Sequence, residues 1–224
     1  MLGKLDEAKA DLIARAAAEA ARSGDQHDVA EYLSHFYKHV AAEGLLGRDP
    51  VDVWGAAQSM RRLAELRPVG TGKVHVFNPS LDDKGWTSGH TVVEVVTDDM
   101  PFLVDSMTSA LTREGLSLHL VIHPQLTVLR SLTGELQQIL LTREARQQSD
   151  AVAESWMHLE VDRIADPEVM RRLERLLLDA LRDVRDAVED WAKMRESAQR
   201  IAGELHENPP DLPEAEIADA WDLL

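Results

Sequence analysis

The spacing of hydrophobic residues in this chain changes near residue 73 and again near residue 166, and this change constrains the fold most strongly. Before residue 73, apolar residues recur every three or four positions, as on one face of a helix. Between the two changes, apolar residues alternate with polar ones, as in strands that bury one face. After residue 166 the helical spacing returns. The pattern therefore predicts an α+β fold with helices on both sides of a β-rich middle.

Residues 1–70 are predicted to form an N-terminal helical subdomain. Gly24 is expected to follow the first helix, and Asp49 with Pro50 supplies an N-cap and a first-turn proline for a later one. Pro68 ends the run. One apolar face is formed by Val29, Leu33, Phe36, Tyr37 and Val40.

Residues 71–165 are predicted to form a sheet with one helix. The helix should begin close to Leu103 and end near Gly115. Pro124 should bend its strand or shift it to an edge, because proline cannot donate to a strand ladder. The expected strands cover residues 74–76, 92–96, 116–122, 126–130, 135–141 and 157–161.

Residues 166–206 are predicted to form one long helix that packs on both preceding segments or on another subunit. Its apolar residues are spaced alternately by four and three positions, as in a coiled coil. They are Leu173, Leu177, Ala180, Val184, Ala187, Trp191, Met194, Ala198, Ile201 and Leu205. Residues 207–224 are expected to be a proline-rich acidic linker and the truncated start of a following element.

The charge and composition exclude several classes of function. The formal net charge of −16 would repel nucleic acids and anionic membranes, so neither is expected as a partner. The absence of cysteine excludes disulfides, thiolate metal sites and a catalytic thiol. The N-terminus has no signal-peptide core, and no apolar run is long enough to span a bilayer. A cytoplasmic location is therefore predicted.

The segment "TDDMPFLVDS", residues 97–106, joins a predicted strand to the predicted helix. Asp98 or Asp99 could cap that helix, with Pro101 in its first turn. The turn also exposes backbone amides at the positive end of the helix, which suit the carboxylate of an amino acid. Either aspartate could then receive the ammonium group. The residues alone leave both interpretations open.

The remaining polar motifs give weaker signals. His119 and His123 lie on the same side of one predicted strand but about 13 Å apart, so they are candidates for ligand or interface contacts and cannot share a metal. Glu31, His35 and His39 share a helix face that is more typical of a solvated surface. "GTGKVH" lacks the spacing of a phosphate loop. No catalytic residue and no metal site is predicted.

Four phrases in the middle of the chain resemble the N-terminal region of the large bacterial NAD-dependent glutamate dehydrogenases. They are "VFNPS", "GWTSGHTVVEVVTDDMPFLVDSMTSALTREGL", "HLVIHPQLTVLR" and "ESWMHLEVDRI". Together they extend over about residues 74–164. This resemblance implies an ACT domain, and the order of elements is close to a ferredoxin-like α/β sandwich in which residues 73–78 replace the last strand.

The resemblance also implies where ligands and chemistry belong. The ACT ligand position corresponds to Asp98, Asp99, Met100, Pro101 and Phe102. Oxidative deamination of L-glutamate to 2-oxoglutarate, and the NAD that it requires, belong to a distant catalytic region, so no cofactor is expected in this segment. The expected partners are an amino acid effector, the enzyme's own catalytic region and other subunits of a homo-oligomer. The function expected is a regulatory and assembly segment; a purely structural oligomerisation module and a free-standing amino acid sensor are the alternatives.

Overall fold

A computed structural model describes residues 2–22, 29–142 and 147–207. The helices are α1 (Leu2–Arg22), α2 (Val29–Phe36), α3 (Ala42–Leu45), α4 (Pro50–Ala64), α5 (Leu81–Lys84), α6 (Leu103–Arg113) and α7 (Pro167–Glu207). The strands are β1 (Lys73–Phe77), β2 (Thr91–Asp98), β3 (Leu118–Ile122), β4 (Gln125–Arg130), β5 (Leu136–Leu140) and β6 (Val152–Val161). The predicted α+β class is confirmed. The predicted break at Gly24 and most of the predicted linker lie outside the described residues.

The N-terminal helices begin where the sequence indicates. The side chain of Asp49 accepts a hydrogen bond from the Val51 amide at 2.9 Å, and Pro50 is the first residue of α4. This confirms the predicted cap, since an Asp at this position satisfies an amide that the helix itself cannot pair. Among the described residues, no helix combines the length and the apolarity that crossing a bilayer requires.

All strand pairings in the described sheet are antiparallel, and the strands run in the order β1-β2-β6-β4-β5. The ten-residue strand β6 pairs with β2 on one side. On its other side it pairs with β3 near Val161 and with β4 near Val152. His123 and Pro124 separate β3 from β4 and interrupt the strand at the proline, while the register to β6 stays the same on both sides. The predicted bend or edge shift at Pro124 stays a prediction. Two short strands thus share one edge of a longer one.

The first face of the sheet carries the N-terminal helices. Alternate residues of β6 point to this face, and Trp156 packs there with Tyr32 of α2 in a T-shaped contact, 6.3 Å between ring centroids. The contact joins the helical layer to the sheet through one core. Further buried members of this cluster are Leu12, Leu33, Phe36, Met60, Val96, Ile122, Leu126 and Val128.

The second face of the sheet is also buried. Val93, Val95, Met157 and Leu159 alternate with the residues of the first face, and none of them is exposed. The buried residues of α6 are Leu103, Met107, Ala110 and Leu111, and those of the first part of α7 include Leu173, Leu177 and Leu181. A Cβ atom added at Gly72 would lie 2.9 Å from Cδ1 of Leu181, so α7 passes close to the chain just before β1.

The chain divides within α7 into two compact units, Met1–Leu181 and Arg182–Leu224. The second unit contains the far part of the long helix, whose predicted extent is confirmed by α7. Trp191, Met194 and Ile201 are exposed there. The predicted packing of this part on another element or subunit stays a prediction.

Candidate functional site

The turn between β2 and α6 contains the five predicted ligand residues. Asp98 is the last residue of β2 and lies on the same face as Glu154, its cross-strand partner. One carboxylate oxygen of Asp98 accepts a hydrogen bond from the Arg67 guanidinium at 2.8 Å, and the other accepts from the Gly70 amide at 2.9 Å. Asp98 therefore fastens the chain before β1 to the end of β2.

Asp99 points to the opposite face of the sheet. The Ser155 hydroxyl donates to Asp99 at 2.6 Å, and the Gln125 amide nitrogen donates at 3.1 Å. Nε2 of His123 lies 3.0 Å from the same Ser155 hydroxyl. Burial lowers the pKa of His123 and outweighs the opposing charge of Asp99. Of the predicted site residues, the structure thus brings Asp99 and His123 together, with Ser155 between them.

This arrangement differs from a catalytic triad. In a serine nucleophile site, histidine lies between the serine and the carboxylate and takes the hydroxyl proton. Here Ser155 donates directly to Asp99, and its side chain is completely buried. A hydroxyl held in this way stabilises the carboxylate and is not presented to a substrate.

Neither aspartate caps α6, so that prediction is wrong. The helix begins at Leu103, and its N-cap is Phe102, which has no side-chain acceptor and lies in the left-handed region with φ of 69°. Pro101 precedes the cap and is not in the first turn. The physical reason is that Asp98 and Asp99 each accept two hydrogen bonds within the sheet layer, including the charge-assisted one from Arg67, and those are stronger than a cap. Phe102 is 68% exposed.

His119 is not part of this turn. It lies in β3, where its Nε2 is 2.7 Å from a carboxylate oxygen of Asp162 and its ring stacks on His90, 4.1 Å between centroids. The Ser117 amide, followed by His119, lowers the pKa of Asp162 to about 2. His119 and His123 therefore have different partners, and the structure does not bring them together.

Four charged side chains, one of them partly exposed, connect the β2–α6 turn with the helical layer. Glu154 accepts hydrogen bonds from the Arg67 and Arg130 guanidinium groups, each at 2.5 Å, and from the Trp156 indole at 2.8 Å. Arg67 also binds Asp98, so two positive and two negative charges balance. Burial would raise the pKa of Glu154, but the hydrogen bonds from Arg130, Arg67 and Trp156 lower it. We call these four residues, Arg67, Asp98, Arg130 and Glu154, the arginine–carboxylate cluster.

The arginine–carboxylate cluster also reaches the end of α4. Arg130 donates to the carbonyl oxygen of Ala64, the last residue of that helix, at 2.9 Å, and to that of Gly134 at 2.8 Å. Arg67 donates to the Thr71 carbonyl at 2.7 Å. The turn, two loops and a helix end are thus held by one set of hydrogen bonds.

A second buried set of charges lies toward the other end of β2 and β6. His158 is completely buried, with its Nδ1 3.5 Å from Glu94 and its Nε2 3.7 Å from Glu160. Arg48 binds Glu160 through two nitrogens at 2.6 and 2.8 Å, and Ser59 donates to Glu94 at 3.1 Å. We call Arg48, Glu94, His158 and Glu160 the histidine–carboxylate cluster.

The charge state of the histidine–carboxylate cluster follows from its geometry. Burial lowers the pKa of His158, but the carboxylates of Glu160 and Glu94 on either side of the ring outweigh burial and raise it. Burial raises the pKa of Glu160, but Arg48 and His158 lower it by more. The net effect is a lowered pKa. When protonated, His158 supplies the second positive charge, so that two cations balance two carboxylates.

Neither cluster was predicted from the sequence, although a signal was present. In "ESWMHLEV", Glu154, Trp156, His158 and Glu160 occupy every second position, in alternation with Ser155, Met157, Leu159 and Val161. Charged residues in alternation usually indicate a face toward solvent. They are buried here because the helical layer covers that face, which the strand pattern alone cannot show.

The fold and the site define a class of protein. An antiparallel sheet lies against helices, its internal charges are paired with one another, and no group of three or more metal-ligating side chains is placed to hold a metal ion in the part of the chain that the structure describes. This is an ACT-like α+β domain with a further helical layer. Comparison with known proteins identifies the family: residues 32–177 match the model of the glutamate dehydrogenase ACT1 domain, and the chain belongs to that family.

The chain is similar to three curated proteins that are each named NAD-specific glutamate dehydrogenase. The one from Pseudomonas aeruginosa is 35% identical over 193 residues, which is 86% of this chain and 12% of the relative. The one from Halomonas elongata is 33% identical over 208 residues, 92% of this chain and 13% of the relative. The one from Mycobacterium tuberculosis is 31% identical over 147 residues, 66% of this chain and 9% of the relative.

The chain therefore spans about an eighth of the length of the first two relatives. It corresponds to an N-terminal region of the large NAD-specific glutamate dehydrogenases, as the sequence resemblance predicted.

Proposed function

We propose that this chain is a non-catalytic regulatory and assembly module of a large NAD-specific glutamate dehydrogenase. The whole enzyme would oxidatively deaminate L-glutamate to 2-oxoglutarate with NAD in the cytoplasm, and its chemistry would lie outside this segment. The three relatives of the same name support the identity of the whole enzyme.

The observation that carries the non-catalytic role is the internal pairing of the buried charges. Glu154 is bound by two arginines, Glu160 by Arg48, and Glu94 faces His158. A general base needs a lone pair within reach of a substrate proton. These carboxylates instead face other protein groups in the interior, so they stabilise the contact between the helical layer and the sheet.

We also propose that the sheet layer is a ferredoxin-like sandwich. The order β1-β2-β6-β4 with antiparallel neighbours corresponds to that fold when β1 is counted as its last strand. Strand β5 would be an addition at the edge. An experimental structure with α6 and α7 on the same face of the sheet would support this description, and one with the two helices on opposite faces would contradict it.

The second candidate function is the binding of an amino acid at the β2–α6 turn, in the segment Asp98–Phe102. The observation that favours it is the start of α6, where Phe102 offers no side-chain acceptor to the first amides of the helix. A carboxylate could accept hydrogen bonds from these amides. The half-buried Asp99, which already accepts from Ser155 and Gln125, is the nearest predicted partner for an ammonium group.

Two experiments test these functions separately. For the regulatory role, steady-state kinetics of the full-length enzyme with and without each of the twenty amino acids should show an effect on rate or on substrate affinity. If none has an effect, the regulatory role is wrong.

For the second candidate, calorimetric titration of this chain with the same amino acids should give a heat of binding that Asp99→Asn weakens. Millimolar titrations without heat would exclude it.

A further inference from the structure

The far part of α7 carries an exposed apolar stripe. Trp191 is 64% exposed, Met194 63% and Ile201 46%, and the half-buried Ala198 lies between the last two. Their spacings of three, four and three residues place all four on one side of the helix. We call Trp191, Met194, Ala198 and Ile201 the seam. Burial of apolar side chains as large as Trp191, Met194 and Ile201 is favourable, so the stripe favours a partner.

The seam has the heptad pattern of a coiled coil. Trp191 and Ala198 take the first core position, a, and Met194 and Ile201 take the second, d. The flanking positions are then fixed. Asp190, Ser197 and Glu204 occupy position g, and Arg195 and Ala202 occupy position e.

The flanking charges select one orientation of the partner. In a parallel pair, position g of one helix faces the next position e of the other, so Asp190 would face Arg195 of the second copy. The twofold symmetry of such a pair creates this contact twice. In an antiparallel pair, position g faces position g, and the acidic Asp190 and Glu204 would face acidic or neutral residues. Charge complementarity therefore favours two parallel copies.

The present contact of Asp190 does not prevent such pairing. Asp190 accepts from Lys193 on its own helix at 3.1 Å, and both side chains are more than half exposed. Exposed pairs three residues apart contribute little, because solvent screens them and both side chains lose freedom. Asp190 can therefore contact a second cation at little cost.

We propose that residues 190–204 of α7 pair in parallel and in register with the same residues of a second copy of this chain. This inference rests on the proposed function as an assembly module and names its contact surface. The contact is short, about two heptads, so association of the isolated chain should be weak.

Cysteine cross-linking tests whether the seam is the contact surface, because the chain has no cysteine of its own and any disulfide must form through the introduced one. In a parallel pair in register, residue 198 of one copy faces residue 198 of the other, so Ala198→Cys should form a disulfide-linked dimer under mild oxidation. Glu196→Cys is the matched control, since Glu196 lies on the same helix, two residues away on the side opposite the seam. Equal cross-linking of both variants, or of neither, would overturn the proposal.

Charge reversal provides a second measurement that does not depend on a disulfide. Asp190→Lys should weaken dimerisation about tenfold in sedimentation equilibrium, because each lysine would face an arginine. Adding Arg195→Glu should restore it, since the reversed pair is again complementary. A double variant as weak as the single one would contradict the parallel register. If neither cross-linking nor charge reversal supports pairing through the seam, while amino acids still change the rate of the full-length enzyme, the pairing proposal is wrong and the regulatory role is retained.

Discussion

Nδ1 of His158 lies 3.5 Å from a carboxylate oxygen of Glu94, and both side chains are buried between the helical layer and the sheet. Glu160, held by Arg48, lies at 3.7 Å from the other ring nitrogen. His90 contacts Glu160 at 3.2 Å, Ser59 donates to Glu94, and the rings of Tyr32 and Tyr37 are packed in the same layer. The two carboxylates raise the pKa of His158 and so favour its protonated form.

The first prediction is a loss of stability at alkaline pH. The folded-state pKa of His158 is raised above its ordinary value of 6.5, so its contribution is fully present below pH 6.5 and is lost as the pH rises through the raised pKa. His158→Gln should lower the free energy of unfolding by about 3 kcal/mol at pH 6 and by less at pH 9. Urea unfolding at both pH values measures this difference. The exposed His39 provides the control, because His39→Gln should leave the dependence unchanged.

The second prediction concerns Glu154 of the arginine–carboxylate cluster. Glu154→Ala would leave Arg67 and Arg130 buried without their shared carboxylate and should cost about 3–5 kcal/mol. The pKa of Glu154 is lowered, so its contribution is present above about pH 4.5 and lost as the pH falls through the lower value. Glu168→Ala removes an exposed pair with Arg171 and should cost less than about 1 kcal/mol. Similar losses for both variants in chemical denaturation would contradict the account of the buried cluster.

The third prediction concerns Phe102, whose φ of 69° lies in the left-handed region that side chains other than glycine rarely adopt. Phe102→Gly should stabilise the chain by about 0.5–1 kcal/mol, since glycine adopts this conformation without steric cost and the exposed ring packs little. Phe102→Ala keeps a Cβ atom and should give no such gain. Thermal unfolding of both variants distinguishes relief of strain from the mere removal of an exposed ring.

The fourth prediction concerns Gly55 of α4, at the contact with Trp86. A Cβ atom at Gly55 would lie 2.3 Å from the Trp86 ring, far inside van der Waals contact. Gly55→Ala should therefore destabilise the chain by about 1–3 kcal/mol. Gly203→Ala in α7 has open space and should be neutral or stabilising, because alanine favours the helix. A neutral Gly55→Ala in thermal unfolding would show that α4 does not lie as close to Trp86 as described.

The sequence predicted the helices and strands because the spacing of their apolar residues is regular. Val92 to Val96 indicate the buried strand β2, and Asp49 with Pro50 indicates the start of α4. Gly115 ends α6 in the left-handed region, as expected for a C-terminal glycine. Each of these features depends only on residues within the same short segment, so it can be predicted without knowledge of the tertiary contacts.

The candidate site was less predictable because its contacts join distant segments. Asp98 and Arg67 form a hydrogen bond although they are 31 residues apart in the sequence, and Arg67 and Glu154 do so at a separation of 87 residues. Without knowledge of these partners, Asp98 and Asp99 favoured a helix cap, since aspartate is common at that position. The sequence could place both residues at the strand-to-helix turn, but their partners depend on how β2, β4 and β6 align.

The most direct test of the central claim is the turnover of the full-length enzyme with His158→Gln. His158 and Glu94 form a buried histidine–carboxylate pair that lies in the contact between the helical layer and the sheet. At a temperature where the variant stays assembled, kcat at saturating glutamate and NAD should remain within about twofold of the unaltered enzyme, with a lowered Tm. A loss of about a hundredfold or more in kcat with assembly intact would show that this segment takes part in the chemistry.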